Sequence, residues 1–159
     1  MEWNNYLKTN KPGESDCQLV VAVNAYYHLT GKIIDQKGEF YDKLRKDSGC
    51  EAGSCIDITQ AWKQLGIWED KKISEHKVDK YLKKNCFIEA KVWHKFFGFH
   101  CISIVDYIKM CDVVRVTNFR HVASTSGWIF REDLKPFLNP NKTKPGYHFR
   151  TFKIQKITK

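Results

Sequence analysis

No apolar run in this sequence is long enough to cross a membrane, because Asn24, His28 or Asp106 breaks each one well short of the ~20 residues a span needs. Met1 to Asn10 carries no charged-then-apolar leader, so neither export nor membrane insertion is expected and a cytoplasmic chain, or one carried in a larger assembly, is. Internal repeats and low-complexity tracts are missing as well. That leaves 159 residues to be read as one domain, enough to bury roughly 70% of the surface of the unfolded chain. The six cysteines also lack a metal-site pattern. Cys50 and Cys55 have four residues between them, but no second Cys-x-x-Cys or His-x-x-x-His pair completes a tetrahedral set, so no metal or other cofactor is expected. With no leader, the cysteines are expected to be free thiols rather than a disulfide framework.

Hydrophobic residues at 42% and charged residues at 28% are ordinary for a globular protein, which excludes a disordered class. Lysine and arginine number 27 against 18 acidic residues, a net charge of +9. This balance permits attraction to nucleic acid, anionic surfaces or acidic proteins. The charges are spread along the chain, with concentrations in "DKYLKKN" and from "NKTKP" through "FKIQKITK". No nucleic-acid motif accompanies them, so a solvated basic surface is the simple reading and an acidic or nucleic-acid partner the alternative.

The first half reads as helices. In "GESDCQLVVAVNAYYHLTG" a Ser-x-x-Gln box at Ser15 and a stop at Gly31 predict a helix from about Asp16 to Thr30, apolar on nearly every face and so buried. "CIDITQAWKQLG" predicts a shorter helix capped by Ser54 and closed by Gly66, and "SEHKVDKYLKKN" another opened by Ser74, with "GEFYDKLRKD" a further candidate. After Asn85 the pattern changes to strands: "FIEAKVW", "FHCISIVDY", "DVVRVTNF", "WIF" and the alternating tail "YHFRTFKIQKI". A helical turn "REDLKPFL" and a surface loop "NPNKTKPG" lie between the last two. Helices followed by antiparallel strands indicate an α+β domain, with helices packed against one sheet.

Cys17 falls in the first turn of the predicted buried helix, where unpaired N–H groups and the positive end of the dipole favour a thiolate. A small packing residue would also fit there. A thiol nucleophile needs a base, and the base needs a third group that holds its tautomer. His100 opens the strand "HCISIVDY". If that strand turns back through Ile108, Lys109 and Met110, Asn118 stands opposite His100 on the same face of the sheet. His28 sits within the buried helix three turns from Cys17, His76 lies on a charged helix, and His94, His121 and His148 have no similarly placed partner. Cys55 is the rival nucleophile, since "GSCIDITQAW" also begins a helix.

The order and spacing of "SDCQLVVAVNAYYHLTG", "GSCIDITQAWKQLGI", "GFHCISIVDY" and "VVRVTNF" followed by "GWIFREDLKPF" resemble the papain-like cysteine peptidases. The likeness is greatest to the compact peptidase domains that process double-glycine bacteriocin leader peptides, with their stand-alone relatives, and it spans roughly Asn10 to Leu138. It implies one papain-like domain over 1–159, acting on a peptide or protein substrate. It also implies Cys17 as nucleophile, His100 as general base and acid, and Asn118 as the residue that orients the imidazole. The family's oxyanion Gln, six residues before the nucleophile, is here Lys11, with Asn10 one residue further off. Asn10 and the Cys17 backbone N–H are therefore the expected oxyanion donors. Gln18 replaces the small Gly that follows the nucleophile. These departures keep a second reading open, a catalytically degenerate fold retained for binding or as part of an assembly.

Overall fold

A computed structural model describes residues 2–6, 16–51, 54–74, 77–84, 86–94, 98–118, 126–132 and 148–155. The chain enters through a 3-10 turn at Trp3–Asn5 and then forms helix α1 at Cys17–Thr30 and helix α2 at Glu39–Asp47. Two short strands follow, β1 at Cys50–Glu51 and β2 at Ser54–Cys55, and then helix α3 at Thr59–Leu65 and strand β3 at Ile67–Ile73. Helix α4 occupies Val78–Leu82. The remaining strands are β4 at Phe87–His94, β5 at Gly98–Ile108, β6 at Val113–Thr117, β7 at Ser126–Phe130 and β8 at His148–Ile154. Six of the strands make one antiparallel sheet in the order β3-β8-β4-β5-β6-β7.

The architecture is α+β, but the separation of helices from strands is less clean than the sequence suggests. "IWEDKKI" is an edge strand inside the helical half, buried only at its ends, Ile67 and Ile73. Arg150 to Glu69 at 3.0 Å and Lys153 to Asp70 at 3.1 Å bind it to β8. Its charge-rich middle hides the strand pattern, because an edge strand needs only half its side chains in the core. The Ser54 cap is also displaced. Ser54 lies in β2, and the Asp57 carboxylate instead accepts the Thr59 N–H at 3.1 Å where α3 begins. Gly66 does close α3, at φ 68°. The third predicted helix shrinks to α4, five residues long.

Side chains along β4 and β5 alternate between two cores. Phe87, Cys101 and Val105 join the cluster that holds α1, Tyr41 and Leu44 of α2, and Trp62 and Leu65 of α3. Ile88, Ala90, Ile102 and Ile104 join Val78 and Tyr81 of α4, with Val114 and Val116 of β6. A sheet covered on both faces explains why residues 101–105 are buried without a break. Helix α1 is buried at every position from Leu19 to Ala25, because residues of α2 and α3 pack with it in the first of these cores. Within α1 the polar exception is Asn24, whose Nδ2 donates to Thr117 Oγ1 at 3.2 Å and so ties the helix to β6. A buried amide without that acceptor would cost about 1–3 kcal/mol.

The connection between β5 and β6 differs from the expected three-residue loop. A 3-10 turn at Lys109–Cys111 is followed by Asp112 at φ 52°. Arg131 fixes Asp112 through two bonds of 2.8 and 2.9 Å. Beyond it Ile108 pairs with Val113, and the ladder then shifts between Ile104 and Asp106, so that Ser103 pairs with Thr117. Continuation of that ladder sets Asn118 opposite Ile102, two residues from the expected partner His100. An even displacement conserves the face each side chain takes.

Candidate active site

Helix α1 begins at Cys17, one residue later than its sequence suggests, with Asp16 in the capping position. The Asp16 carbonyl accepts the Val20 N–H at 3.0 Å. The amide hydrogens of Cys17, Gln18 and Leu19 precede that first helical bond, so the helix start presents them together beside the Cys17 thiol. Asp16 itself is fully buried and accepts a hydrogen bond from the Tyr41 hydroxyl of α2. That bond anchors the mount of Cys17 to a second helix. Ser15, Lys11 and Asn10, the expected cap and oxyanion residues, lie outside the described residues.

Cys17 is a half-buried free thiol packed against the cluster that contains Cys101. Its pKa falls from 9.0 to about 4. The leading cause is a hydrogen bond from the Cys101 thiol; a hydrogen bond from His100 and the charge of that ring add to it, against the opposing effect of burial. Cys101 moves the other way, well above the ordinary thiol value, through its bond to Cys17, its burial and the nearby Glu89. Cys17 is therefore the sulfur of the pair that carries the negative charge.

His100 stands near the start of β5, and its Nε2 lies 2.5 Å from the main-chain oxygen of Asn118. A carbonyl only accepts, so Nε2 carries the hydrogen and Nδ1 is left to serve the thiol. The sequence reading assigns the orienting contact to the Asn118 side chain, but here the main chain makes it. The Asn118 side chain instead donates through Nδ2 to the Cys101 carbonyl at 3.0 Å, bracing β5 at the residue after His100. Asn118 takes φ 55°, which ends the β6 ladder and swings its carbonyl toward the ring. Asparagine is among the few residues besides glycine that adopt this conformation readily. The Asn24 bond to Thr117 holds the preceding residue, so α1 positions both Cys17 at its start and the Asn118 turn from its middle.

The structure sets the His100 ring on the Asn118 carbonyl, His100 contributes to the low pKa of Cys17, and Cys55 is removed as a rival. Cys50 and Cys55 are directly opposed across β1 and β2 and form a disulfide, contrary to the expectation of six free thiols. The remaining cysteines, Cys17, Cys86, Cys101 and Cys111, are free. His28 is a packing residue. Burial lowers its pKa to about 4, and the Tyr6 hydroxyl meets its Nδ1 at 2.6 Å.

Three site residues escape the sequence reading. Asp16 shows only as the neighbour of the thiol. Cys101 follows His100 directly but faces the α1 core, a relation that strand alternation alone cannot connect with Cys17. Glu89 is buried on β4 opposite Ser103, and desolvation raises its pKa to about 6 despite Lys91 and Arg150 nearby. No family model matches this chain, and no curated protein matches it.

Proposed function

We propose that the chain is a cysteine peptidase, or a related thiol-dependent amide hydrolase, of papain-like fold. What supports this reading is a half-buried free thiol at a helix start, its pKa lowered in part by His100, and an imidazole whose Nε2 is held by the Asn118 carbonyl. In the proposed reaction the Cys17 thiolate attacks the substrate carbonyl, and the oxyanion is received by the Cys17 backbone N–H, with Asn10 a candidate second donor. His100 delivers a proton from Nδ1 to the leaving amine, and the amide C–N bond breaks to leave a thioester. Water then gives its proton to the same nitrogen and attacks the thioester, releasing the acid and restoring the thiolate. Throughout, the Nε2 hydrogen stays on the Asn118 carbonyl and keeps the ring in its working tautomer.

The substrate is a peptide or protein. The test is iodoacetamide labelling of the full chain at pH 6, with each cysteine followed by peptide mapping. Cys17 should react at least about tenfold faster than Cys86 and Cys101, as a low-pKa, half-exposed thiolate should, and prior labelling should abolish hydrolysis of peptide amides. Equal labelling rates would reject the assignment. Gln18 favours the degenerate reading, because its buried Oε1 finds no hydrogen-bond partner among the described residues. Rapid labelling of Cys17 together with a complete lack of turnover would favour that reading.

A further inference from the structure

We infer that Cys101 is a resolving thiol for Cys17, capturing a peroxide-oxidised Cys17 as a Cys17–Cys101 disulfide that closes the nucleophile reversibly. Four observations on different elements support this. Cys101 lies on the α1-facing side of β5, only 5% exposed, in the cluster against which Cys17 packs. Each thiol shifts the other, Cys17 downward and Cys101 upward, so that Cys17 is the sulfur that holds the charge. Cys17 is half-buried and open to a small oxidant, whereas Cys101 is shielded, so oxidation begins at Cys17. Glu89, buried on the neighbouring strand opposite Ser103, lies diagonal to Cys101 on the same face of the sheet. The Cys101 proton therefore has an acceptor ready when its sulfur attacks.

The chemistry balances with a hydroperoxide as oxidant. The Cys17 thiolate attacks one peroxide oxygen and the O–O bond breaks. Sulfur loses two electrons, and the departing hydroxide takes a proton to leave as water, giving a sulfenic acid on Cys17. Cys101 then passes its proton to Glu89 and its sulfur attacks the Cys17 sulfur. The S–S bond forms, the S–O bond breaks, and the second hydroxide leaves as water on taking up the Glu89 proton. One thiolate, one thiol, one hydrogen peroxide and one proton become one disulfide and two waters. An external dithiol reverses the link by exchange.

This inference shares Cys17 with the peptidase reading, so its test reads sulfur rather than turnover. The full chain is treated with equimolar hydrogen peroxide, denatured, alkylated and mapped. The expected result is a parallel loss of alkylation at Cys17 and Cys101, a linked peptide pair, unchanged labelling of Cys86 and Cys111, and recovery of both lost sites with dithiothreitol. In Cys101→Ala and in the closer isostere Cys101→Ser, each verified as folded by circular dichroism, Cys17 should instead progress to sulfinic acid that dithiothreitol does not restore. Oxidised Cys17 with Cys101 still alkylatable, or Cys17 linked to Cys111, would overturn the inference. A linked pair in a chain that never hydrolyses an amide would sink the peptidase reading alone. Turnover that peroxide destroys beyond rescue, with Cys101 still free, would sink the resolving role alone.

Discussion

Cys17 and Cys55 occupy similar settings in the sequence and end in opposite chemical states. Each follows a Gly and a Ser within a few residues and precedes a helical segment. Cys17 becomes the first residue of a buried helix, where His100 and Cys101 hold it ionised. Cys55 stops four residues short of α3, in a two-residue strand, and is consumed by Cys50. The difference in state follows from the groups that other elements bring to each sulfur: an imidazole and a thiol from β5 in one case, a second cysteine across a tight ribbon in the other.

The sharpest way to break this contrast is to remove each sulfur in turn. Cys17→Ala should reduce amide hydrolysis by something on the order of 10⁶ in kcat, the scale seen when a covalent nucleophile is deleted. Cys55→Ala should leave turnover near that of the parent while costing about 2 kcal/mol of stability in urea unfolding through loss of the crosslink. Inactivity of the second variant and not the first would reverse the assignment.

The next largest effect is expected at the base. His100→Ala should lower kcat by about 10² to 10⁴, the usual contribution of a positioned acid-base group. Disulfide formation at Cys50–Cys55 should be unaffected, since His100 is not part of that ribbon. A fall in turnover of less than about threefold would show that the imidazole beside Cys17 is not the proton carrier.

A smaller and finer test uses pH. The Cys17 pKa is depressed to about 4, so the reactive thiolate is present above that value and is lost as pH falls through it. Iodoacetamide labelling of Cys17 should stay level from pH 8 down to about 5, then fall about tenfold per pH unit below 4. Cys101→Ala removes the leading stabiliser of the thiolate, so the midpoint should move upward in pH. An unchanged midpoint would place the stabilisation elsewhere. Cys50 and Cys55, joined to each other, should show no labelling at any pH in the unreduced chain.

The smallest effect is expected at Asn118, where the main chain holds the imidazole. Asn118→Ala keeps the carbonyl but must adopt φ 55° without the help of its side chain, a strain of about 1–2 kcal/mol, and it loses the bond to the Cys101 carbonyl. Asn118→Gly relieves the strain and loses only the bond. Thermal unfolding should therefore rank the glycine variant above the alanine variant, with turnover reduced less in glycine than in alanine. An alanine variant as stable as the parent would remove the conformational argument.

The sequence by itself determined the elements whose physics is local. The apolar continuity of α1, its Gly31 stop, the Gly66 stop of α3 and the alternation of the later strands all follow from neighbours a few residues apart, so the α+β class and the positions of Cys17, His100 and Asn118 were legible. Tertiary structure alone decided what depends on distant contacts. The strand character of "IWEDKKI" came from pairing with β8, because its own charges oppose that reading. The Cys50–Cys55 disulfide came from a ribbon too short to leave a sequence pattern. The shift near Val105 and the longer turn at Asp112 reset the β5–β6 register, which moved the His100 contact from the Asn118 side chain to its carbonyl. Charge on Cys17 required Cys101, 84 positions away in the chain, to be pressed against the start of α1, and only the packing of helix on sheet could arrange that.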